Sequence, residues 1–179
     1  MIDHYKMIHP TVSIHPTAVI SPAVKIGAGT YIGPFCIIGY PAEHKGYWGN
    51  VPRRSEVIIG ENCVITGHVT IDGSTDGVTA IGNNVWMMKH SHVGHDAVIC
   101  DNVVISCGAK IGGHAAIGEG TNIGLNAVIH QWKQVPPGCM IGANAFIGKE
   151  LPMIDGGVYV GVPAKFLKMN EKWIMKNGL

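Results

Sequence analysis

The sequence predicts an all-β solenoid, a parallel β-helix built from six-residue repeats. From residue 81 to residue 152, every sixth residue is aliphatic or Met, the next is often Gly, and the fifth is usually small or branched. The repeating first positions are Ile81, Met87, Val93, Ile99, Ile105, Ile111, Ile117, Ile123, Ile129, Val135, Ile141 and Ile147. A period of six matches neither an α-helix nor an ordinary alternating strand. Each block should therefore form one short strand and one corner, with its first side chain facing a shared core.

The same repeat begins near the N-terminus and is interrupted twice. Aliphatic residues recur every six positions from Ile8 to Ile38 and again from Ile59 to Ile71. Residues 40–56 (YPAEHKGYWGNVPRRSE) have no period and are rich in Pro, Gly, aromatic and charged residues. They predict an inserted loop, and their composition favours a binding role over a plain surface insertion. The polar residues 72–77 lengthen a later block and predict an extra turn.

The chain is predicted to form one β-helix domain over residues 1–163, with a short helical cap at residues 164–179. The helical pattern lies at residues 164–176 (AKFLKMNEKWIMK), where Phe166, Leu167, Trp173 and Ile174 can share one face. Solenoids need such terminal caps because an end coil cannot bury its own apolar edge. A length of 179 residues suits a single domain.

Composition excludes several classes of function. The formal net charge is +1, from 13 basic and 12 acidic residues, which argues against nucleic acid or an anionic membrane as the main partner. No apolar run is long enough for a membrane span, and residues 1–10 lack the apolar core of a signal peptide, so a cytoplasmic location is expected. The five cysteines include no C-x-x-C pair and are expected to be reduced core residues.

The repeat brings distant histidines together. If three blocks make one coil, residues 18 apart lie above one another at a spacing of about 4.8 Å. Val93, Ile111 and Ile129 then share one side of the solenoid. His95, His114 and His130 follow these positions on three consecutive coils, so they are expected to form one constellation.

The segment around His95 is the strongest candidate for chemistry. Residues 90–96 (HSHVGHD) place several polar side chains on one side of the solenoid. Acid–base catalysis is favoured, because a neutral imidazole is a natural base near pH 7. A ladder of hydrogen-bonded histidines and a zinc site are the alternatives.

Five strings resemble one enzyme family in their order and spacing. They are IHPTAVI at 14–20, IGPFCIIG at 32–39, SHVGHD at 91–96, IGGHA at 111–115 and IHQW at 129–132. With them the chain resembles the hexapeptide acyltransferases, and most of all the UDP-N-acetylglucosamine O-acyltransferases of lipid A synthesis. The resemblance implies a left-handed solenoid and a homotrimer with active sites between adjacent subunits. It also implies an acyl carrier protein or coenzyme A thioester as co-substrate, a sugar or UDP-amino-sugar as acceptor, and no bound cofactor or metal.

The resemblance assigns roles to individual residues. His95 matches the general base, and Asp96 follows it as in the family. Gly113 matches the residue whose backbone N–H stabilises the oxyanion. The residues that match the lining of the substrate cleft are His92, His114, His130 and Gln131, with Glu43 and Lys45 matching loop residues that hold the sugar nucleotide.

Two differences from that family leave the identity of the substrate undecided. In the family a long helical C-terminal domain follows the repeats, whereas in this sequence one short predicted helix follows them. Residues 160–165 (VGVPAK) instead resemble sugar N- and O-acetyltransferases that use acetyl-CoA. A γ-type carbonic anhydrase is disfavoured, because its zinc ligands should fall near Asp72, Lys89 and Gly94, none of which is His. A non-catalytic scaffold is the remaining alternative.

Overall fold

A computed structural model describes residues 7–42 and 55–178 of the chain. Glu43 and Lys45, predicted to bind substrate, lie outside these ranges, as does most of the 40–56 loop. The described residues form a parallel β-solenoid of about eight coils with one short C-terminal helix, which confirms the predicted fold class. None of the helices in the described ranges has the length and apolar character needed to cross a membrane.

The strands are short and regularly spaced. In chain order they are β1 (Ser13–Ile14), β2 (Val19–Ile20), β3 (Val24–Ile26), β4 (Tyr31–Ile32), β5 (Ile37–Tyr40), β6 (Val57–Ile59), β7 (Val64–Ile65), β8 (Thr70–Asp72), β9 (Thr79–Ile81), β10 (Trp86–Met87), β11 (His92–Val93), β12 (Val98–Ile99), β13 (Val104–Ile105), β14 (Lys110–Ile111), β15 (Ala116–Ile117), β16 (Asn122–Ile123), β17 (Val128–Ile129), β18 (Gln134–Val135), β19 (Met140–Ile141), β20 (Phe146–Ile147), β21 (Gly157–Val160) and β22 (Lys165–Met169), followed by α1 (Glu171–Asn177).

Every third strand belongs to the same sheet, so the solenoid has three sides. The first sheet has the order β1-β4-β7-β10-β13-β16-β19-β21-β22, the second β2-β5-β8-β11-β14-β17-β20, and the third β18-β15-β12-β9-β6-β3. Neighbours are parallel except β21 and β22. Val93 pairs with Ile111, which pairs with Ile129, so the predicted 18-residue coil is confirmed on the second sheet.

Two pairings show where the chain leaves the regular repeat. Val24 pairs with Val57, which is 33 residues later instead of 18, so 15 extra residues separate β5 from β6. Val57 pairs with Thr79, which is 22 residues later, so four extra residues separate β8 from β9. Both insertions return to the same register, because the first residue of each block must face the core.

The core consists of the first residues of the repeats. Ile32, Met87 and Ile111 are fully buried, and small fifth-position residues such as Ala97 fill the space between them. Burying an aliphatic side chain contributes roughly 1.5–3 kcal/mol, and each coil supplies three of them.

The position of each cysteine in the repeat determines its burial. Cys36, Cys63 and Cys139 occupy buried fifth positions, whereas Cys100 is exposed and Cys107 is half-buried, so the prediction that all five are core residues was wrong.

The corners use a left-handed backbone conformation that most residues avoid. In the described ranges it occurs at several glycines, at Asn62, Asn84, Asn102, Asn126 and Asn144, and at Phe35, His68, His90, Asp96, His114 and Trp132. Asn and Gly tolerate this conformation at low cost, whereas bulky side chains do so rarely. Corners that carry other residues are therefore informative.

The C-terminus differs from the predicted helix over residues 164–176. Residues 165–169 form β22, which pairs antiparallel with β21, and only Glu171–Asn177 is helical. The pairing satisfies backbone groups along β21 that would otherwise lie at an open sheet edge. Trp173 of the helix packs on Gly120, Gly138 and Gly156, which follow one another on successive coils.

Candidate active site

An open cleft lies on the outer face of the second sheet. Its volume is about 630 Å³. The described residues that line it are Ile37, Tyr40, Pro41, Thr70, Asp72, His92, Gly94, His95, Lys110 and Gly113. Strands β5, β8, β11 and β14 supply its floor, and the corners after β11 and β14 supply one wall. Three of the residues predicted from the sequence, His92, His95 and Gly113, therefore face one space.

His95 and Asp96 form a hydrogen-bonded pair at the wall of the cleft. The Nδ1 of His95 lies 2.9 Å from Oδ2 of Asp96, and their side chains are 20% and 5% exposed. A carboxylate can only accept a hydrogen bond, so Nδ1 carries the proton. This arrangement fixes the tautomer and leaves Nε2 as the nitrogen that can take up a proton, as a general base requires.

The four-residue insertion before β9 holds Asp96 in place. The Thr75 hydroxyl donates to Oδ2 at 2.6 Å, and the Gly77 N–H donates to Oδ1 at 2.8 Å. Burial alone would raise the pKa of Asp96, but these bonds and the one from His95 outweigh it and hold the pKa well below its ordinary value. Asp96 therefore remains a carboxylate at neutral pH. The sequence showed this insertion as an irregularity, but its contact with Asp96 was not foreseen.

Two glycines shape the wall around His95. A Cβ on Gly113 would lie 2.8 Å from His95 Nε2, so the imidazole rests directly over this glycine. A Cβ on Gly94 would lie 2.7 Å from the backbone nitrogen of Gly113. The missing side chain at Gly94 therefore leaves the Gly113 N–H uncovered beside the cleft, and no described residue accepts a hydrogen bond from it.

His114 contacts the pair from the next coil. Its ring meets the His95 ring edge-on, with centroids 4.9 Å apart, and its Nε2 lies 3.8 Å from Asp96 Oδ2. On the following coil, the Trp132 ring lies parallel to His114 with centroids 3.7 Å apart. Sequence reasoning did not single out Trp132, although it occupies the left-handed corner position 18 residues after His114.

The other predicted residues have different surroundings. His130 donates from Nδ1 to the Gln131 carbonyl at 2.8 Å, and its ring packs against Phe146. Neither His130 nor Gln131 is among the described residues that line the cleft. Of the three histidines expected to cluster, His95 and His114 are in contact, whereas the His130 ring bonds to the neighbouring Gln131 and packs against Phe146 of the next coil.

His92 forms a second polar cluster on the cleft floor. Its Nδ1 lies 2.8 Å from the Thr70 hydroxyl, and its Nε2 lies 3.9 Å from Asp72 Oδ2. Lys110 lies beside His92 on the neighbouring strand, with Nζ donating to the carbonyls of His90 and Gly108. The cleft thus presents an imidazole, a carboxylate and an ammonium along one side of the His95–Asp96 pair.

The side chains of His95, Asp96 and His114 are close enough together to hold a metal ion. The ligand atoms of His95, Asp96 and His114 lie within 4.8 Å of one another. However, Oδ2 of Asp96 already accepts hydrogen bonds from His95 and from both the hydroxyl and the N–H of Thr75. The contacts therefore fit a hydrogen-bonded base better than a metal centre.

Sequence comparisons find similar transferases with six-residue repeats. The family model described as "Bacterial transferase hexapeptide (six repeats)" matches residues 5–40 and 79–113. The described residues of both matched segments lie in the β-solenoid, whose coils are built from six-residue repeats. Over 126 residues, 69% of the chain, it is 36% identical to the acyl-[acyl-carrier-protein]–UDP-N-acetylglucosamine O-acyltransferase of Helicobacter pylori. That match covers 46% of the relative, so the hexapeptide-repeat chain spans about half the length of this curated enzyme.

Solved structures extend the likeness over nearly the whole chain. The UDP-N-acetylglucosamine acyltransferase of Bacteroides fragilis superposes with a TM-score of 0.82 at 25% identity, covering 97% of this chain and 78% of that one. The acetyltransferase domain of PglB from Neisseria gonorrhoeae is more distant. Its TM-score is 0.53 at 26% identity, covering 87% of this chain and 57% of that one.

Proposed function

We propose that the protein is an acyltransferase that moves an acyl group from acyl carrier protein to a hydroxyl of UDP-N-acetylglucosamine or a related UDP-amino-sugar. The observation that carries this proposal is the His95–Asp96 pair, set 2.9 Å apart beside an uncovered backbone N–H in an open cleft. The names of the similar enzymes supply the donor and acceptor. Coenzyme A is the alternative carrier of the acyl group.

His95 acts as the general base in the proposed reaction. Its Nε2 takes the proton from the acceptor hydroxyl while the oxygen attacks the thioester carbonyl carbon. The Asp96 carboxylate holds the ring in the required tautomer and stabilises the imidazolium that forms. The low pKa of Asp96 suits this role, because the carboxylate stays charged throughout the cycle.

Gly113 stabilises the charge that develops on the carbonyl oxygen. Its N–H is fixed in the wall next to His95 and donates to the oxyanion of the tetrahedral intermediate. The carbon–sulfur bond then breaks, and the leaving thiolate receives the proton from His95. The products are the acylated sugar and the free thiol, and no covalent enzyme intermediate is formed.

The remaining predicted residues bind substrate in this proposal. His92 lies on the cleft floor and is assigned to the acceptor, together with Glu43 and Lys45 of the 40–56 loop. His130 and Gln131 are assigned to the cleft where it continues along the solenoid. The proposal includes a left-handed homotrimer in the cytoplasm, with each cleft completed by an adjacent subunit.

A second candidate is an acetyl-CoA-dependent sugar N- or O-acetyltransferase. The likeness to the PglB acetyltransferase domain and the VGVPAK string at residues 160–165 favour it. The base and the oxyanion donor would be the same residues. Only the length of the acyl group, its carrier and the acceptor would change.

A thioester-release assay distinguishes the two candidates. Wild-type protein is given either 3-hydroxyacyl-acyl carrier protein or acetyl-CoA, together with a panel of UDP-sugars and amino-sugars. Thiol release with the carrier protein and a UDP-sugar supports the first proposal, whereas turnover with acetyl-CoA alone supports the second. A folded protein that turns over neither donor would contradict both and favour a non-catalytic scaffold.

A further inference from the structure

We infer that Trp132 is a positioning residue of the active site, which acts by holding the ring of His114 against His95. This inference rests on the proposed role of His95 as base. Trp132 itself lies two coils away from the catalytic pair along the solenoid. It is therefore not expected to touch the reacting atoms.

The first support is the contact geometry. The Trp132 and His114 rings are 3.7 Å apart and only 5° from parallel, so nearly the whole imidazole face is covered. His114 in turn meets His95 at 88°, with centroids 4.9 Å apart. Because the three rings belong to three consecutive coils, Trp132 and His95 contact His114 from opposite sides.

The second support is the backbone conformation of Trp132. Its φ is 65°, in the left-handed region that bulky residues rarely adopt. The same corner carries Asp96 and His114 on the two preceding coils, and the corner after the first sheet carries Asn126 and Asn144. Asn and Asp adopt this conformation more readily than a bulky indole does. A strained residue where the repeat offers an easier choice points to a function.

The third support is exposure. The Trp132 side chain is 57% exposed, so the indole is not a core residue and contributes little to the packing of the solenoid. Its described aromatic contact is with His114. Its contact with His114 therefore explains why a large, half-exposed aromatic residue stands at a position with a strained backbone.

The consequence for catalysis follows from how the His95 ring is confined. Asp96 fixes Nδ1 by a hydrogen bond, Gly113 supports the ring from the next coil, and the His114 ring packs against it edge-on. If the indole is removed, His114 can rotate away and His95 loses one of these three supports. The base then samples positions that are unsuited to proton transfer, which lowers kcat more than substrate binding.

Replacement of Trp132 by Asn, which adopts the left-handed conformation readily, tests this inference. Trp132→Asn relieves the left-handed strain while removing the ring, so the midpoint of thermal unfolding should move by no more than about 4 °C. We expect kcat for thioester release to fall about tenfold with little change in KM for either substrate. Trp132→Phe keeps a stacking ring and should restore most of the lost kcat.

A double variant distinguishes positioning from a direct role. If Trp132 acts through His114, adding Trp132→Asn to His114→Ala should cause no further loss of kcat. His68→Asn is the matched control. It also removes a stacked ring from a left-handed corner, between Phe35 and His90, but on the other side of the second sheet.

Failure of the positioning role and failure of the proposed function give different results. Wild-type kcat in folded Trp132→Asn, losses that multiply in the double variant, or an equal loss in the His68→Asn control would overturn the inference. If His95→Ala turns over as fast as the wild type, the proposed function fails, whatever the Trp132 variants show. If His95→Ala is inactive and Trp132→Asn is fully active, the proposed function stands and only the positioning role fails.

Discussion

Gly113→Ala should test the position of the His95 ring without removing the backbone N–H proposed as the oxyanion donor. The new methyl carbon would lie 2.8 Å from His95 Nε2 and 3.0 Å from its Cε1. Ordinary contact between such atoms needs about 3.5 Å, so the imidazole must move by about 0.7 Å. The backbone N–H at position 113 is unchanged, because Ala retains it.

The expected cost falls on the chemical step. A misplacement of 1 Å can cost on the order of 100-fold, so a loss of about 10- to 100-fold in kcat is expected, which corresponds to about 1.4–2.7 kcal/mol of barrier. The fold should tolerate the change, since the φ of Gly113 is not in the left-handed region. The free energy of unfolding should therefore change by less than about 1 kcal/mol.

Thioester release under saturating substrates measures this loss, and thermal unfolding confirms that the variant is folded. Gly148→Ala is the matched control, because a Cβ there has its nearest neighbour, a carbon of Phe146, at an ordinary 3.7 Å. The control should keep wild-type kcat. Wild-type kcat in a folded Gly113→Ala variant would refute the idea that the bare backbone at residue 113 positions the His95 ring.

The remaining predictions concern protonation and thiol reactivity. Because the pKa of Asp96 is lower in the folded protein than in the unfolded chain, its charge stabilises the fold above the unfolded value of about 3.9, and this contribution is lost as the pH falls further. The difference in unfolding free energy between wild type and Asp96→Asn, measured by denaturant titration, should shrink below about pH 4; a constant difference from pH 7 to pH 2 would contradict the low pKa. Burial raises the pKa of Cys139 to about 11, so this thiol should resist Ellman's reagent in the folded protein at pH 8, whereas the exposed Cys100 should react. Cys100→Ser should remove that native reaction, and rapid native labelling of Cys139 would contradict its burial.

The solenoid was predictable because the core imposes its period on the sequence. The first residue of each block faces inward, so the chain must place an apolar residue there in every block, as the burial of Ile32 and Ile111 shows. The same period placed His95 and His114 on neighbouring coils. The position of β22 was not predictable, because Phe166 and Leu167 fit a helical face as well as an exposed edge strand.

The contacts that hold the His95–Asp96 pair were harder to foresee. Thr75 reaches Asp96 from an insertion whose path does not follow the repeat. Trp132 could have been found from its corner position, because a left-handed corner disfavours a bulky side chain. The direction of the His130 ring depends on Phe146 of the next coil, and residue spacing alone does not contain that information.

The central claim is that His95 is the base for acyl transfer from a thioester. The most direct measurement compares kcat/KM of wild type, His95→Ala and the control His15→Ala, a histidine that does not line the cleft, using acyl carrier protein thioester and UDP-N-acetylglucosamine. We expect His95→Ala to keep the thermal stability of the wild type and to lose about 10²–10⁴-fold in kcat/KM, while His15→Ala keeps the wild-type kcat/KM. Near-normal turnover by a folded His95→Ala variant would contradict the claim.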